Sequence, residues 1–207
     1  MRLVLASTSP RRRQILALLG VPFEVIAPEF AEEISSHLSA DQEVVEFALG
    51  KAQSVATKYP ASIVIGSDTM IELSGEKIGK PTDREDARRM LRLLSGETHR
   101  ILTSVAIVDH GGPGLKEIET VAVEMRGYTE AEIENYLNLG ESDDKAGAYS
   151  IQGRGSALVK SISGDYLAAV GMPLRRVARY LESRGLSVVD IDSLYAEKSF
   201  MNWQRFA

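Results

Sequence analysis

Cysteine is absent from this 207-residue chain, which excludes disulfides, thiol nucleophiles and cysteine-bound zinc. Histidine is scarce. His37 sits in a polar stretch, His99 precedes an apolar run and His110 precedes a double glycine, and no pair has a metal-like spacing. There is no Gly-x-Ser-x-Gly, so a serine hydrolase of the nucleophile-elbow type is disfavoured. No apolar run approaches a membrane span, and no internal repeat or low-complexity linker interrupts the chain. The opening Met-Arg-Leu-Val-Leu-Ala lacks the length and apolar core of a signal peptide, so a cytoplasmic location is expected. A surplus of positive charge is missing too. The net charge is −5 and the pI about 5.4, so the bulk surface offers little to nucleic acid or an anionic membrane, and neither is expected as a partner. Any phosphate site must be a local basic pocket in an acidic protein, which suits a small ligand better than a polymer.

Against these absences stands residues 5–13, Leu-Ala-Ser-Thr-Ser-Pro-Arg-Arg-Arg. Leu3, Val4 and Leu5 read as a buried strand. The periodic Ile15, Leu16, Leu18 and Leu19 read as a helix that stops at Gly20. Ser9 is the expected N-cap and Pro10 the first helical residue, where a missing N–H costs nothing. A strand therefore delivers free backbone N–H groups, hydroxyls and guanidiniums to one helix N-terminus, an arrangement suited to phosphate. Positive charge there opposes the helix dipole, so an anion is expected to compensate it.

Hydrophobic residues make up 44% of the chain, enough to bury a sizeable core in one domain or two lobes. Strands are expected at Leu3–Ala6, Phe23–Ala27, Ile63–Gly66, Met70–Leu73, Ile101–Val108, Ile118–Met125 and Ala157–Ile162. Helices are expected near 10–19, 41–58, 83–94, 130–138 and 173–184. Capping boxes are read at Ser39/Gln42, Thr82/Glu85 and Thr129/Glu132, helix stops at Gly20, Gly96, Gly140 and Gly185, and hairpin turns at Ser74-Gly75 and Gly111-Gly112. Alternating strands and helices with hairpins imply a three-layer α/β domain on a mixed sheet. The tail after Gly185 is expected to dock as a last strand and turn or to be loosely held, and the sequence attaches no role to it.

Three further stretches carry chemistry. Ile63-Val-Ile-Gly-Ser-Asp-Thr69 ends an apolar strand in polar residues. Asp68 there is a candidate metal ligand or general base, or a carboxylate that ties down its own turn. Gly75-Glu-Lys-Ile-Gly-Lys-Pro81 has only three residues between its first two glycines and a proline where a P-loop needs a hydroxyl, so a P-loop is rejected. Lys80 remains, aimed by a rigid Gly-Lys-Pro. Asp143-Asp-Lys-Ala-Gly-Ala-Tyr-Ser-Ile-Gln-Gly-Arg-Gly155 has glycines that let backbone approach a ligand, Gln152 to read a base edge, and Lys145 and Arg154 to add charge. Lys51 reads as one residue of a solvated helix face, and Glu32 and Glu33 as charges following a strand.

In this order, Leu-Ala-Ser-Thr-Ser-Pro-Arg-Arg, Gly-Ser-Asp-Thr, Gly-Lys-Pro and Asp-Lys-Ala-Gly-Ala-Tyr-Ser-Ile-Gln-Gly-Arg-Gly closely resemble the Maf family of nucleoside triphosphate pyrophosphatases. Leu94-Ser-Gly-Glu-Thr-His, Gly164-Asp-Tyr and Val170-Gly-Met-Pro-Leu extend the resemblance over about residues 2 to 180. Each motif alone is weak; their joint order is specific. The resemblance implies a single catalytic domain over 1–185 followed by a tail, 186–207. The domain would have an elongated mixed sheet, helices on both sides, two lobes and a deep cleft, similar to inosine triphosphate pyrophosphatases. It implies conversion of a nucleoside triphosphate and water to the monophosphate and pyrophosphate, with magnesium or manganese as cofactor. The catalytic acidic residue falls on Asp68, phosphate-binding residues on Ser7, Arg11, Arg12, Lys51 and Lys80, and an additional acidic, metal-binding residue on Glu32, with Glu33 adjacent. Base choice falls on Arg11, Thr69 and Gln152. Asp68-Thr69 with Lys-Ala-Gly-Ala-Tyr and Ile-Gln-Gly resembles the dTTP- and UTP-hydrolysing group rather than the 7-methyl-GTP group, which usually carries Asp-Gln. Ala168-Ala169-Val170-Gly-Met departs from the common Asn-Val-Val-Gly-Leu. A homodimer is left open.

Elementary chemistry points the same way. Attack on a triphosphate needs neutralised phosphates, a metal and an oriented water. The arginines, Lys51 and Lys80 supply charge, and Asp68 and Glu32 supply carboxylates. A nucleotide sensor without turnover needs the cations but not the carboxylate. A nucleotidyltransferase needs a glycine-rich first loop, which Ser7-Thr-Ser-Pro is not.

Overall fold

In the computed structural model residues 2–143 and 145–206 are described; Met1, Ala207 and Asp144, which opens the Asp-Lys-Ala-Gly-Ala-Tyr block, lie outside them. The chain runs β1 (Arg2–Ala6), α1 (Pro10–Ala17), β2 (Glu24–Ile26), α2 (Ala40–Ala56), β3 (Ser62–Leu73), β4 (Glu76–Ile78), α3 (Arg84–Leu94), β5 (Thr98–Asp109), β6 (Gly112–Met125) and α4 (Glu130–Leu137). Short 3-10 turns at Ala146–Ala148 and Gly153–Leu158 lead into β7 (Val159–Ser163). Then follow α5 (Tyr166–Val170), α6 (Leu174–Ser183), α7 (Ile191–Glu197) and a last 3-10 turn, Met201–Phe206.

Six strands are ordered β2-β1-β3-β5-β6-β7, with β4 added to β3. β1 pairs in parallel with both β2 and β3, and the other pairs are antiparallel. The chain leaves β1 for β2 on one side and reaches β3 on the other. The carboxyl ends of β1 and β3 thus flank a topological switch point, where open α/β sheets bind ligands. The period of two along each strand divides the core. Leu3, Leu5, Ile63, Ile65 and Ile107 pack with Leu16, Leu91 and Leu181 on one face. Val4, Ala6, Val64, Ala106 and Val108 pack against Ala48, Ala52 and Val55 of α2 on the other. Helices cover both faces, which is why the first half of β3 is apolar without alternation. This is the three-layer α/β architecture expected.

One glycine sets the site. A Cβ on Gly66 of β3 would lie 2.3 Å from the Ala48 carbonyl oxygen and 2.8 Å from the Ala52 nitrogen. Only glycine lets the α2 backbone lie directly on the strand, and this brings Lys51 to its polar end.

Several boundaries differ from expectation. Ile63–Gly66 and Met70–Leu73 are one strand of twelve residues, because β5 pairs with it continuously through the polar residues between. The α3 cap is Asp83, whose carboxylate accepts from Asp86 N at 2.8 Å, in place of the Thr82/Glu85 box. The Ser39 and Thr129 boxes form as expected. His110 and Gly111, both at positive φ, make the second hairpin turn, and Gly112 already belongs to β6. The strand expected at Ala157–Ile162 starts two residues later, since Ser156 Oγ closes a 3-10 turn on Gly153 O. α5 had no sequence signal, being shorter than two helical turns. The tail is neither strand nor loose: Ile191 and Trp203 are buried in the main core.

Candidate active site

The pairing of β3 leaves a gap. β1 is its partner as far as Gly66, opposite Ala6, and β4 takes over only at Ile71, opposite Ile78. Residues 67–70 therefore have an open edge on that side while β5 holds the other. Alternation turns Asp68 toward α2, with Gly66 and Met70, and turns Ser67 and Thr69 toward α5. Asp68 is thus within a strand rather than at its end, and is buried.

β1 delivers its loop to this gap. Ser7 is buried, and its Oγ accepts from Ser9 N at 3.1 Å. Ser9 caps α1 by accepting from Arg12 N at 3.4 Å, and Pro10 opens the helix. Arg12 crosses the open edge. Its Nε donates to Gly171 O at 3.1 Å and its Nη2 to Thr69 Oγ1 at 3.3 Å, while Nη2 lies 3.9 Å from Asp68 Oδ1. Burial pulls the Arg12 guanidinium below its ordinary pKa, and Asp68 and Glu32 oppose that shift. Arg11 is likewise lowered, chiefly by burial. The far side of Arg12 is braced by hydroxyls. Ser67 Oγ donates to Ser104 O at 2.8 Å and lies 3.0 Å from Gly171 O, and Thr103 Oγ1 donates to Ala168 O at 2.8 Å.

Lys51 is not on a solvated face. It is buried, with Nζ 2.6 Å from Asp68 Oδ1 and 2.5 Å from Glu32 Oε1. Burial pushes Glu32 up, but the Lys51 hydrogen bond and the charges of Lys51, Lys80 and Arg12 hold its carboxyl below the ordinary value. The loop that carries Glu32 is fixed at two points. Phe30 packs edge-on against Phe47 of α2 at 5.8 Å, over Gly50, where a Cβ would fall 2.1 Å from the Phe30 ring. Glu43, fully buried, accepts from Ser35 N at 2.5 Å and pairs with Lys77 of β4 at 2.9 Å. Glu32 lines the cleft; Glu33 does not.

Lys80 is exposed at the cleft wall. The glycine-rich block docks beside it: Gly147 N donates to Gly79 O at 2.9 Å. Gly147, at φ +68°, has no room for a Cβ beneath Ile71 and Leu94. Lys145, Ala146, Tyr149 and Ile151 line the cleft. Gln152 is buried but is not among the lining residues. Arg154 is exposed and lies outside the cleft. Its backbone N–H and that of Gly155 are held by the Glu141 carboxylate at 3.1 and 3.2 Å. Tyr149 also contacts His99, Nε2 to hydroxyl 2.8 Å. Burial lowers the His99 pKa to about 4, so the imidazole is neutral.

The cleft holds about 610 Å³, within the range of small-ligand sites. Arg11 also lines the cleft, near Tyr136, Glu141 and Tyr166. One end is charged: Arg12, Lys51 and Lys80 around Asp68 and Glu32. The other is largely apolar: Ile71, Ile101, Tyr149, Ile151, Ala169 and Val170. Tyr149, Ile151 and Val170 belong to stretches the sequence singled out, whereas Phe30, Ile71 and Ile101, which also line the cleft, belong to none. Among the described residues no group of three or more metal-ligating side chains forms a complete cage. Asp68 and Glu32, however, converge on one cation, Lys51. Two hard carboxylates completed by phosphate oxygens are a usual magnesium donor set, so these residues fit a divalent ion that arrives with a triphosphate.

This is an α/β protein whose switch-point cleft gathers cationic side chains around two carboxylates, Asp68 and Glu32. Residues 2–184 match the family described as Maf-like protein, and the chain belongs to the Maf family. It is 45% identical over 188 residues to the dTTP/UTP pyrophosphatase of Symbiobacterium thermophilum, covering 90% of this chain and 96% of that protein. It is 44% identical over 191 residues to the dTTP/UTP pyrophosphatase of Dictyoglomus thermophilum, covering 90% and 98%. Among solved structures, the Staphylococcus aureus Ham1 protein matches with a TM-score of 0.49 and 15% identity over 89% of this chain and 100% of that one, too distant to bear on the site.

Proposed function

We propose that this protein is a nucleoside triphosphate pyrophosphatase that hydrolyses dTTP and UTP to the monophosphate and pyrophosphate. The observation that carries the reading is Asp68 on the open edge of β3, flanked by Lys51 and Arg12. Its near relatives, the dTTP/UTP pyrophosphatases of two bacteria, support the same reaction.

In this reading Arg11, Arg12, Lys51, Lys80 and the Ser7 hydroxyl hold the phosphates and neutralise charge that develops on them. Asp68 orients a water and accepts its proton as the water oxygen bonds to the α-phosphorus. The bond from that phosphorus to the bridging oxygen breaks, and pyrophosphate leaves with the bond's electrons. Asp68 and Glu32 would hold a divalent ion, which would supply further charge neutralisation at the phosphates. No side chain becomes covalently attached. The base occupies the apolar end beside Thr69. Gln152, one residue past the cleft-lining Ile151, offers an amide that matches the O4 acceptor and N3–H donor of uracil and thymine. A mismatched buried amide costs about 1–3 kcal/mol, so UTP and dTTP are expected well ahead of ATP and GTP. Among the described residues no helix is long and apolar enough to cross a membrane, and we assign the protein to the cytoplasm, where its substrates are.

The test is a panel of common and modified triphosphates with magnesium or manganese, reading monophosphate and pyrophosphate. Preference for 7-methyl-GTP or ATP would overturn the pyrimidine assignment. Binding of all without turnover would overturn the enzyme in favour of a sensor.

A further inference from the structure

Residues 186–207 lie beyond the family match, which ends at 184, yet they touch the supports of both walls of the apolar end of the cleft. The first contact is to the segment that follows Gln152. Asn202 Nδ2 donates to Gly153 O at 3.1 Å and to Ser156 Oγ at 3.1 Å, and Arg205 reaches the same hydroxyl at 3.4 Å. On its other side this segment is held by Glu141 through the Arg154 and Gly155 N–H groups. Residues 153–156 are therefore clamped between Glu141 and the tail, with Gly153 at φ +70° between them.

The second contact is to α5. Trp203 is buried and stacks on Tyr166, the first residue of α5, with centroids 5.7 Å apart and planes at 16°. Tyr195 packs edge-on to Trp203 at 4.9 Å. Its hydroxyl donates to Asp165 Oδ2 at 2.7 Å, while Asp165 Oδ1 caps α5 at Leu167 N, 2.9 Å away. α5 in turn presents Ala169 and Val170 to the cleft. The two contacts use adjacent tail residues, Asn202 and Trp203, so one short turn ties the two walls together.

We infer that the C-terminal tail is part of the base-binding end of the cleft, with Asn202 and Trp203 as positioning residues that hold the Gln152 segment against α5. The inference rests on the pyrophosphatase reading above. A tail that only stabilises the core would lower the melting temperature and leave the balance between base and phosphate recognition unchanged. A positioning tail changes that balance, because its contacts lie behind the apolar end and not behind Lys51 or Lys80.

Asn202→Ala separates the two roles. Its side chain is half-buried and its loss leaves Trp203 in place. The expected result is a three- to tenfold rise in KM for UTP and dTTP and kcat within twofold. The inhibition constant of inorganic tripolyphosphate, which has no base, should not change. Trp203 is the only tryptophan in the chain, so its emission provides a second measurement on the unaltered protein. Titration with UMP should shift it saturably, and tripolyphosphate should not. A parental KM in Asn202→Ala, a parallel rise in KM and in the tripolyphosphate constant, or a UMP titration without spectral change would each overturn the inference. If the variant does not fold, the UMP titration decides alone. An unaltered protein that does not turn over UTP would overturn the reading of the cleft, and this inference with it.

Discussion

Replacing Asp68 by Asn tests the centre of the site, because the structure gives its effects on rate, affinity and stability different signs. The change keeps the size of the side chain and removes one negative charge. Loss of a group that orients water or holds a metal typically costs ~10²–10⁴-fold, about 3–5.5 kcal/mol of transition-state stabilisation. Affinity should move the other way. Asp68 repels the phosphates that Lys51 and Arg12 attract. Removing a charge roughly 7 Å from a phosphate, at an effective dielectric of about 20, is worth ~2 kcal/mol before salt screening. Metal-free UTP binding should therefore tighten by up to ~30-fold. Stability should change little, because Lys51 keeps Glu32 at 2.5 Å and Arg12 keeps its bonds to Gly171 O and Thr69 Oγ1. A loss of about 1 kcal/mol would lower the melting temperature by ~2–4 °C in a chain of this size. Pyrophosphate release with magnesium and with manganese, calorimetric titration of UTP without metal, and a thermal melt measure the three quantities. Turnover within threefold of the parent with unchanged metal dependence would refute the role of Asp68. Equal losses of rate and affinity would make it a structural residue.

Lys80→Ala should lower kcat/KM by roughly 1.5–3 kcal/mol, the worth of a charge-assisted bond, with no change in melting temperature, since Lys80 is exposed; a drop in stability with parental kcat/KM would contradict this. Gly66→Ala should cost about 2–3 kcal/mol in urea unfolding, an overpacking penalty, because the added carbon meets α2 backbone at 2.3 Å, and activity should fall with it as Lys51 is displaced. His99 provides a pH test. Its pKa of about 4 in the folded state lies below the ordinary 6.5, so the unfolded chain binds the proton first. Stability is full above pH 6.5 and falls as pH drops toward 4, by about 2–3 kcal/mol at pH 4.5. His99→Gln, which does not titrate, should remove that share of the pH dependence in urea midpoints measured at pH 7 and 4.5.

What the sequence made legible was local. The β1–α1 turn could be read to the residue, because Ser9, Pro10 and Gly20 act on their own backbone. The same holds for the Ser39 and Thr129 capping boxes. Lys51 shows the opposite. On helix periodicity it belongs to a solvated face, and only the approach of α2 to Gly66, a contact between segments, buries it against Asp68. Gln152 was singled out for its amide, and the fold buries it behind its cleft-lining neighbour Ile151, a depth that no local pattern announces. The tail's helix and 3-10 turn went unread because Trp203 and Tyr195 take their partners from α5 and from each other, not from neighbours in sequence.

The acidity of the whole chain and the basicity of the cleft belong to one design. Five cations, Arg11, Arg12, Lys51, Lys80 and Lys145, line the cleft against two carboxylates, Glu32 and Asp68, in a chain of net charge −5. Those seven side chains come from six separate stretches of sequence, and none of the stretches makes a phosphate site alone. They meet because β1 pairs with β3 only as far as Gly66. That pairing places the α1 N-terminus beside Asp68 and leaves the next four residues of β3 open to the cleft. The spacing of the motifs along the chain does not encode this; the sheet register does. A net charge of −5 repels polyanions at long range, while the cations of the cleft attract a small anion locally. The cleft's volume of about 610 Å³ is that of a small-ligand site. In the proposed reading this charge distribution favours the free triphosphate over the polymer before any base is read.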